Sequence, residues 1–414
     1  MATKTPSYKR TILACYVGNF VQASLINITP VLFVTLMTRY GLGFEKLGRL
    51  VLINFATQVL VDLVFSGIVD RRGIRPFIVA SQALAVLGLG LFALAPRIFR
   101  DPYLGFVVAT IVFSGSGGLL ELLLSPIVNA IPTEGKAGAM SLLHSFYSWG
   151  QLTVIVVTTA FLLVAGGGAW PLIVLFWAIP PAANMLLFAR APLAPQVPEE
   201  RRTRLGTLFR ERGFLLCLAG IIAGGATEVT MAQWASAFAE KALGIPKIVG
   251  DTAGLSLFAI AMGIGRATYG KLARRIDLGV VLPLGAAFAL LCYLVAALSP
   301  WPILSLAACA ACGIGVSLLW PGSIVVAAGR YPLAGASMFA IMAAGGDIGA
   351  SLGPWLVGLL ADLVPAALRA PAGLAPAEFG LRAGLLAAAA FPIAALAATR
   401  SLGRTAPRRQ CPIP

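Results

Sequence analysis

Charge is what this sequence has least of. Acidic and basic residues fill 11% of its 414 positions, where a soluble domain carries roughly a quarter. That scarcity excludes a water-soluble globular protein, and 59% hydrophobic residues exclude a disordered one, which needs low hydrophobicity and high charge. Histidine occurs once, and no Walker sequence, H-E-x-x-H, kinase or hydrolase motif is present. An enzyme would need a convergent nucleophile or metal set, and an ATP-driven pump a soluble ATPase domain. The expectation is therefore no enzyme and no cofactor, with energy drawn from a gradient or from the substrate itself. Disulfide spacing is missing too: Cys15, Cys217, Cys292, Cys309 and Cys312 all lie in apolar stretches, where thiols act as small hydrophobes. The C-x-x-C of Cys309 and Cys312 sits in an Ala-rich run and reads as structural rather than redox or metal-binding.

What is present is apolar length. The mean hydropathy is +0.90, and a spanning helix needs about 20 apolar residues. Apolar runs between charged or Gly/Pro breaks number twelve, the first over 11–38 and the last over 380–399. The basic start at Lys9-Arg10 is followed by no A-x-A cleavage site, so the first run reads as a spanning helix rather than a removed leader. The net charge of +15 does not form one soluble basic face, so no nucleic acid is expected as partner. It sits in short clusters, Arg71-Arg72, Arg201-Arg202 and Arg274-Arg275 among them, at one end of the even-numbered runs. By the positive-inside rule both termini lie in the cytoplasm. The short loops suit a bacterial inner membrane. The reading is a multi-pass, all-α membrane protein, monomeric, in contact with lipid and a small-molecule substrate.

A Pro- and Arg-rich stretch divides the chain into residues 1–190, a cytoplasmic linker over 191–213 and residues 214–414, two halves of six spans each. A shift of 204 positions tests for a repeat. It pairs Asp62 with Arg266, Ser66 with Gly270, Asp70 with Arg274 and Arg71 with Arg275, each cluster closing an even-numbered span. Two halves of one orientation are a parallel repeat, with the binding site expected at the midplane between them.

The stretch Ser66 to Arg75 resembles the loop between helices two and three of the major facilitator superfamily, G-x-x-x-D-R-x-G-R-R, with Asp70, Arg71 and Gly73 matching, Ser66 for the first Gly and Arg75 near the last basic position. A narrower resemblance joins span four, Gly117-Gly118-Leu-Leu-Glu121-Leu-Leu-Leu-Ser125-Pro126, to the fucose permease group of sugar/proton symporters, which carries Leu-Glu followed by Pro at this place. Span five, His144-Ser-Phe-Tyr147-Ser-Trp-Gly150, is similar to that group's helix five. Glu228 and Trp234 are similar to a span-seven acid and aromatic found in several groups of the superfamily. Span one departs from the fucose permease group: it offers Asn19, Gln22 and Asn27 where the group has an Asp. The resemblance implies twelve transmembrane helices in two pseudo-symmetric six-helix bundles and secondary transport by alternating access, most nearly proton-coupled sugar symport. A drug or metabolite efflux antiporter competes, but its helix-five Gly-x-x-x-x-Gly-Pro and helix-four Arg are missing. A solute-sensing receptor that keeps the fold without turnover is the reading from another class.

Ionisable groups at membrane depth cost a few kcal/mol on insertion scales and face a cavity or a partner. Ser114, Glu121 and Ser125 share one stripe of span four, which makes Glu121 the foremost candidate for holding a proton or substrate, against a packing role. His144, Tyr147 and Gln151 share a face of span five; His144 is a proton relay to Glu121, a hydroxyl donor, or a satisfied packing residue. Glu228, Gln233 and Trp234 offer a carboxylate, an amide and a ring, the set a sugar needs, or else an interfacial Trp and a snorkelling Glu. Asn19, Gln22 and Trp320 are further candidate contacts. Asp62, Asp70, Arg71, Arg75, Arg266, Arg274 and Asp347 are assigned to a gate, with Asp62 and Arg266 meeting or pairing separately, Asp347 completing a seam with Arg71 or Arg274, and solvated turns as the bland alternative for the loop residues.

Overall fold

The computed structural model describes residues 7–42, 44–133, 135–195, 205–246, 249–371 and 373–405. Among them every regular element is helical. The first half comprises α1 (Lys9–Val31), α2 (Phe44–Arg72), α3 (Arg75–Ile98), α4 (Pro102–Ala130), α5 (Lys136–Ala165) and α6, two helices in line over Trp170–Phe176 and Ile179–Arg190. The second comprises α7 (Arg212–Lys241), α8 (Leu257–Leu272), α9 (Leu278–Leu298), α10 in two pieces (Pro302–Val316 and Leu319–Arg330), α11 (Gly335–Ala367) and α12, also in two (Pro376–Ala388 and Ala390–Thr405).

Eleven crossings are each long and apolar enough to span a bilayer among the described residues. The sequence counts twelve; the difference is α8. Its α-helix is only 16 residues, and a seven-residue π-helix, Gly250–Ser256, runs directly into it and supplies the rest of the crossing. The break in α6 has a local cause, since Pro180 and Pro181 lack N–H groups and fit only the first turn of a new helix. The medium around the bundle is legible in its surface. Leu87, Leu163, Val164 and Ile303 stand 64, 70, 91 and 82% exposed, an arrangement that water penalises and hydrocarbon does not.

Inside, helices approach closely where glycine removes the side chain. A Cβ at Gly349 on α11 would lie 1.9 Å from the Ile222 carbonyl oxygen of α7, and one at Gly313 on α10 would lie 2.2 Å from the Phe258 carbonyl oxygen of α8. Gly349→Ala must push two backbones apart and is expected to cost about 1–3 kcal/mol, as overpacking does; a lowered melting temperature in detergent checks it, and an unchanged one contradicts the close packing.

The two halves meet through α5 against α8 and α2 against α11. Because crossings alternate in direction, α5 starts and α8 ends at the face where α1 starts. There Gly138 and Gly270 bring the helices together, a Cβ on Gly138 falling 2.5 Å from the Gly270 carbonyl oxygen. One turn further in, the Ser141 hydroxyl donates to the Arg266 carbonyl at 2.7 Å. The α5–α8 contact is closed at this face, and a cavity lies above it.

Candidate functional site

The cavity encloses about 970 Å³ of empty space, its mouth included, between the two halves. From α1 come Asn19, Gln22 and Asn27, from α4 Glu121 and Ser125, and from α5 His144, Tyr147 and Gln151. The second half contributes Glu228 and Gln233 on α7, Arg266 on α8, Trp320 on α10 and Asp347 on α11. Phe55, Phe258 and Phe339 supply apolar wall.

Glu121 is held by Gln22, whose amide Nε2 donates to its Oε2 at 2.9 Å. Asn19, one turn earlier on α1, donates to the Leu143 carbonyl of α5 at 2.9 Å, so α1 is tied to α4 and α5 by two adjacent amides. His144 faces Ser125 across 3.4 Å, Nε2 to Oγ, and not Glu121. Its one-turn neighbour Tyr147 and the 6% exposed Gln151 complete that wall.

Glu228 and Arg266 form the strongest interaction of the site. Arg266 donates from one terminal nitrogen to both carboxylate oxygens, at 3.0 and 2.8 Å. Its other terminal nitrogen reaches the His144 carbonyl at 3.1 Å and the Ser148 hydroxyl at 3.3 Å, both on α5, and its Nε reaches the Ser317 carbonyl at 2.8 Å. All five guanidinium donors are thereby placed, on three helices besides its own and on both halves. The Ser317 acceptor exists because of Pro321: the residue four further on has no N–H, so the Ser317 carbonyl is left without its helical partner at the break in α10. Removing one of these contacts, Ser148→Ala, is expected to cost about 1 kcal/mol, read as a lower unfolding temperature; no change would mean that the α5 contact contributes nothing.

Several expectations are placed differently by the structure. Asp62 and Arg266, paired by the sequence shift, do not meet; Arg266 takes Glu228, and neither oxygen of Asp62 has a hydrogen-bond partner among the described residues. Asp347 stands in the cavity wall and not in the loop seam. Trp234 lies outside the cavity lining, its indole N–H donating to the Pro354 carbonyl at 3.0 Å, because the helical phase of α7 turns it against α11. Arg75 is turned into its own half: it donates to the carbonyls of Phe188, Ala189 and Ala191 at 2.9–3.2 Å, a cation at the C-terminus of α6. Arg71 and Arg274 are exposed near the ends of α2 and α8, and the Asp70 side chain is outside the described residues. Ser148, Ser317 and the three phenylalanines escaped the sequence reading; only the Trp320-Pro321 pair pointed toward Ser317. Cys15, Cys217, Cys292, Cys309 and Cys312 are buried and unbridged.

The sequence matches the family described as Major Facilitator Superfamily over residues 13–354. No curated protein sequence matches it significantly. Among solved structures, a crystal structure of the fucose:proton symporter of E. coli, as a single-residue variant, is similar at 17% identity with a TM-score of 0.76, covering 96% of this chain and 99% of that one. A second crystal structure, of the same transporter in the outward conformation, gives 17% identity, a TM-score of 0.75 and the same coverage.

Proposed function

The chain belongs to the major facilitator superfamily and is a membrane transporter rather than an enzyme; from that premise we propose that it is a proton-coupled symporter of a sugar or another small polar solute, working by alternating access. The observation that supports this is Glu121, a carboxylate in the wall of a central cavity with an amide donor from Gln22 and, among the described residues, no cation bonded to it. Such a group can take a proton from one side of the membrane and release it to the other. Around it Asn19, Gln22, Asn27, Tyr147, Gln151 and Gln233 present amides and a phenol to hydroxyl groups, and Trp320 presents a ring face to C–H groups.

Arg266 and Glu228 are the link between binding and movement. Arg266 joins α8 of one half to α5 of the other through the His144 carbonyl and the Ser148 hydroxyl, and Glu228 fixes from α7 the guanidinium that makes those bonds, so neutralising Glu228 frees the guanidinium to move. The closed face is assigned to the cytoplasm, with both termini there, in a bacterial inner membrane, and the working unit is a monomer.

A thermal-shift panel on detergent-purified protein with hexoses, deoxy-sugars, amino acids and lipophilic cations tests the substrate class, followed by flux of the stabilising compound in liposomes. A ligand at a hundred times its Kd adds about 2.7 kcal/mol. Stabilisation by a monosaccharide that then crosses the membrane supports the proposal. Stabilisation by lipophilic cations alone replaces it with efflux, and binding without flux replaces it with a receptor.

A further inference from the structure

The seam between α2 and α11 holds two carboxyls for which Glu121 and the Arg266 pair leave no role. Asp62 on α2 is 0% exposed, and neither oxygen has a hydrogen-bond partner among the described residues. Asp347 on α11 is 2% exposed, and its Oδ2 has none either. The two helices pack directly, and both carboxyls lie within electrostatic reach of Glu121, and Asp62 within reach of Asp347. Arg266, the one buried cation among the described residues, is committed to Glu228. Three acids therefore lie near one another with no hydrogen-bonded cation on any of them among the described residues.

Gln58, one turn before Asp62 and also 0% exposed, gives its amide nitrogen to Asn54 Oδ1 at 2.6 Å, which leaves Oε1 turned toward α4 without a donor. That oxygen lies 3.0 Å from where a Cβ on Gly117 would be, one turn from Glu121. Ser114, a further turn along α4, also has an unpartnered oxygen. Asp62, Asp347 and Gln58 thus leave carboxylate and amide oxygens, which only accept, without a donor among the described residues, a set that suits a proton or a small hard cation. The elements packed on Asp62 offer nothing else that titrates near it: α4 brings Glu121, α11 brings Asp347, and α1 has no acid, Lys, Arg or His past Arg10.

We propose that Asp62 and Asp347 form a second cation site, distinct from Glu121, that holds a proton or a sodium ion while the α2–α11 seam is closed. Asp347 reaches the central cavity, which provides the entry path. Loss of the cation leaves like charges facing each other across the two halves and drives them apart, so occupancy of this site sets which face is open. The inference rests on the gradient-coupled reading for its purpose, but its test does not need transport.

The test is the unfolding temperature of purified protein from pH 5 to pH 9, first in choline chloride and then in sodium chloride. A carboxyl that holds a proton when folded and is ionised when unfolded makes stability fall as pH rises. The wild type is expected to lose several degrees toward pH 9 in choline, and Asp62→Asn, Asp347→Asn and the double variant to lose progressively less; Glu121→Gln removes only its own share, and in that background the Asn substitutions still reduce what remains. Recovery of the loss by sodium in the wild type but not in the double variant identifies sodium as the occupant; no recovery identifies the proton. A wild-type profile that the Asn substitutions leave unaltered overturns the site, and so does transfer of the whole effect to Glu121→Gln. Either single variant suffices should the double fail to fold. None of these outcomes depends on finding the transported solute.

Discussion

Arg266→Ala is expected to destabilise the protein by about 3–5 kcal/mol, the cost of leaving a buried charge without its partner. Glu228, 6% exposed, would keep its carboxylate at membrane depth with both hydrogen bonds gone, and the Ser317 carbonyl would be orphaned beside it. The same physics predicts an asymmetry. The double variant Arg266→Leu, Glu228→Leu removes both charges and should recover most of the stability, because a buried pair repays little more than its own desolvation. It should not recover transport, since the contact from α8 to Ser148 on α5 is lost with the guanidinium. Melting temperature and liposome flux measured on the same preparations separate the two roles. Equal stability of the single and double variants would show that the pair is not coupled.

Glu121→Gln carries the second large effect. A one-unit pH gradient is worth about 1.4 kcal/mol per proton, a tenfold concentration ratio. If Glu121 is the proton carrier, the wild type accumulates solute about tenfold across such a gradient and the variant only to equality. Glutamine is nearly isosteric and keeps a hydrogen-bonding group for Gln22, so binding and solute exchange across the membrane, which need no net proton movement, should persist. Exchange and accumulation lost together would make Glu121 a binding residue instead, and accumulation retained would remove it from coupling.

The sequence was most informative where a helix has one orientation to satisfy. The stripe Ser114, Glu121, Ser125 and the face His144, Tyr147, Gln151 needed only 3.6-residue periodicity, and five of these six residues line one cavity. Periodicity says which residues share a face but not what the face meets. Asp347 lies in a run of glycines and alanines that gives no polar stripe to orient it, so its place in the cavity wall comes only from how α11 lies against α7. Trp234 follows Gly224-Gly225, where a Cβ on Gly225 would strike the Gly346 carbonyl at 2.5 Å; that close crossing fixes the turn of α7, and the sequence does not contain it. The 204-position shift pairs Asp62 with Arg266 in the sequence, yet opposite charges need opposite surroundings. Arg266 found Glu228 on α7, whereas Asp62 has no hydrogen-bond partner among the described residues. Arg75 looked like a loop cation until the end of α6 came to lie beneath it.

Symport requires that a proton move with the solute. The direct measurement is pH in a weakly buffered suspension of proteoliposomes when the stabilising solute is added without any imposed gradient. A symporter predicts alkalinisation outside that follows solute entry, is absent from empty liposomes and is abolished by Glu121→Gln. Solute entry at an undiminished rate with no pH change would contradict it.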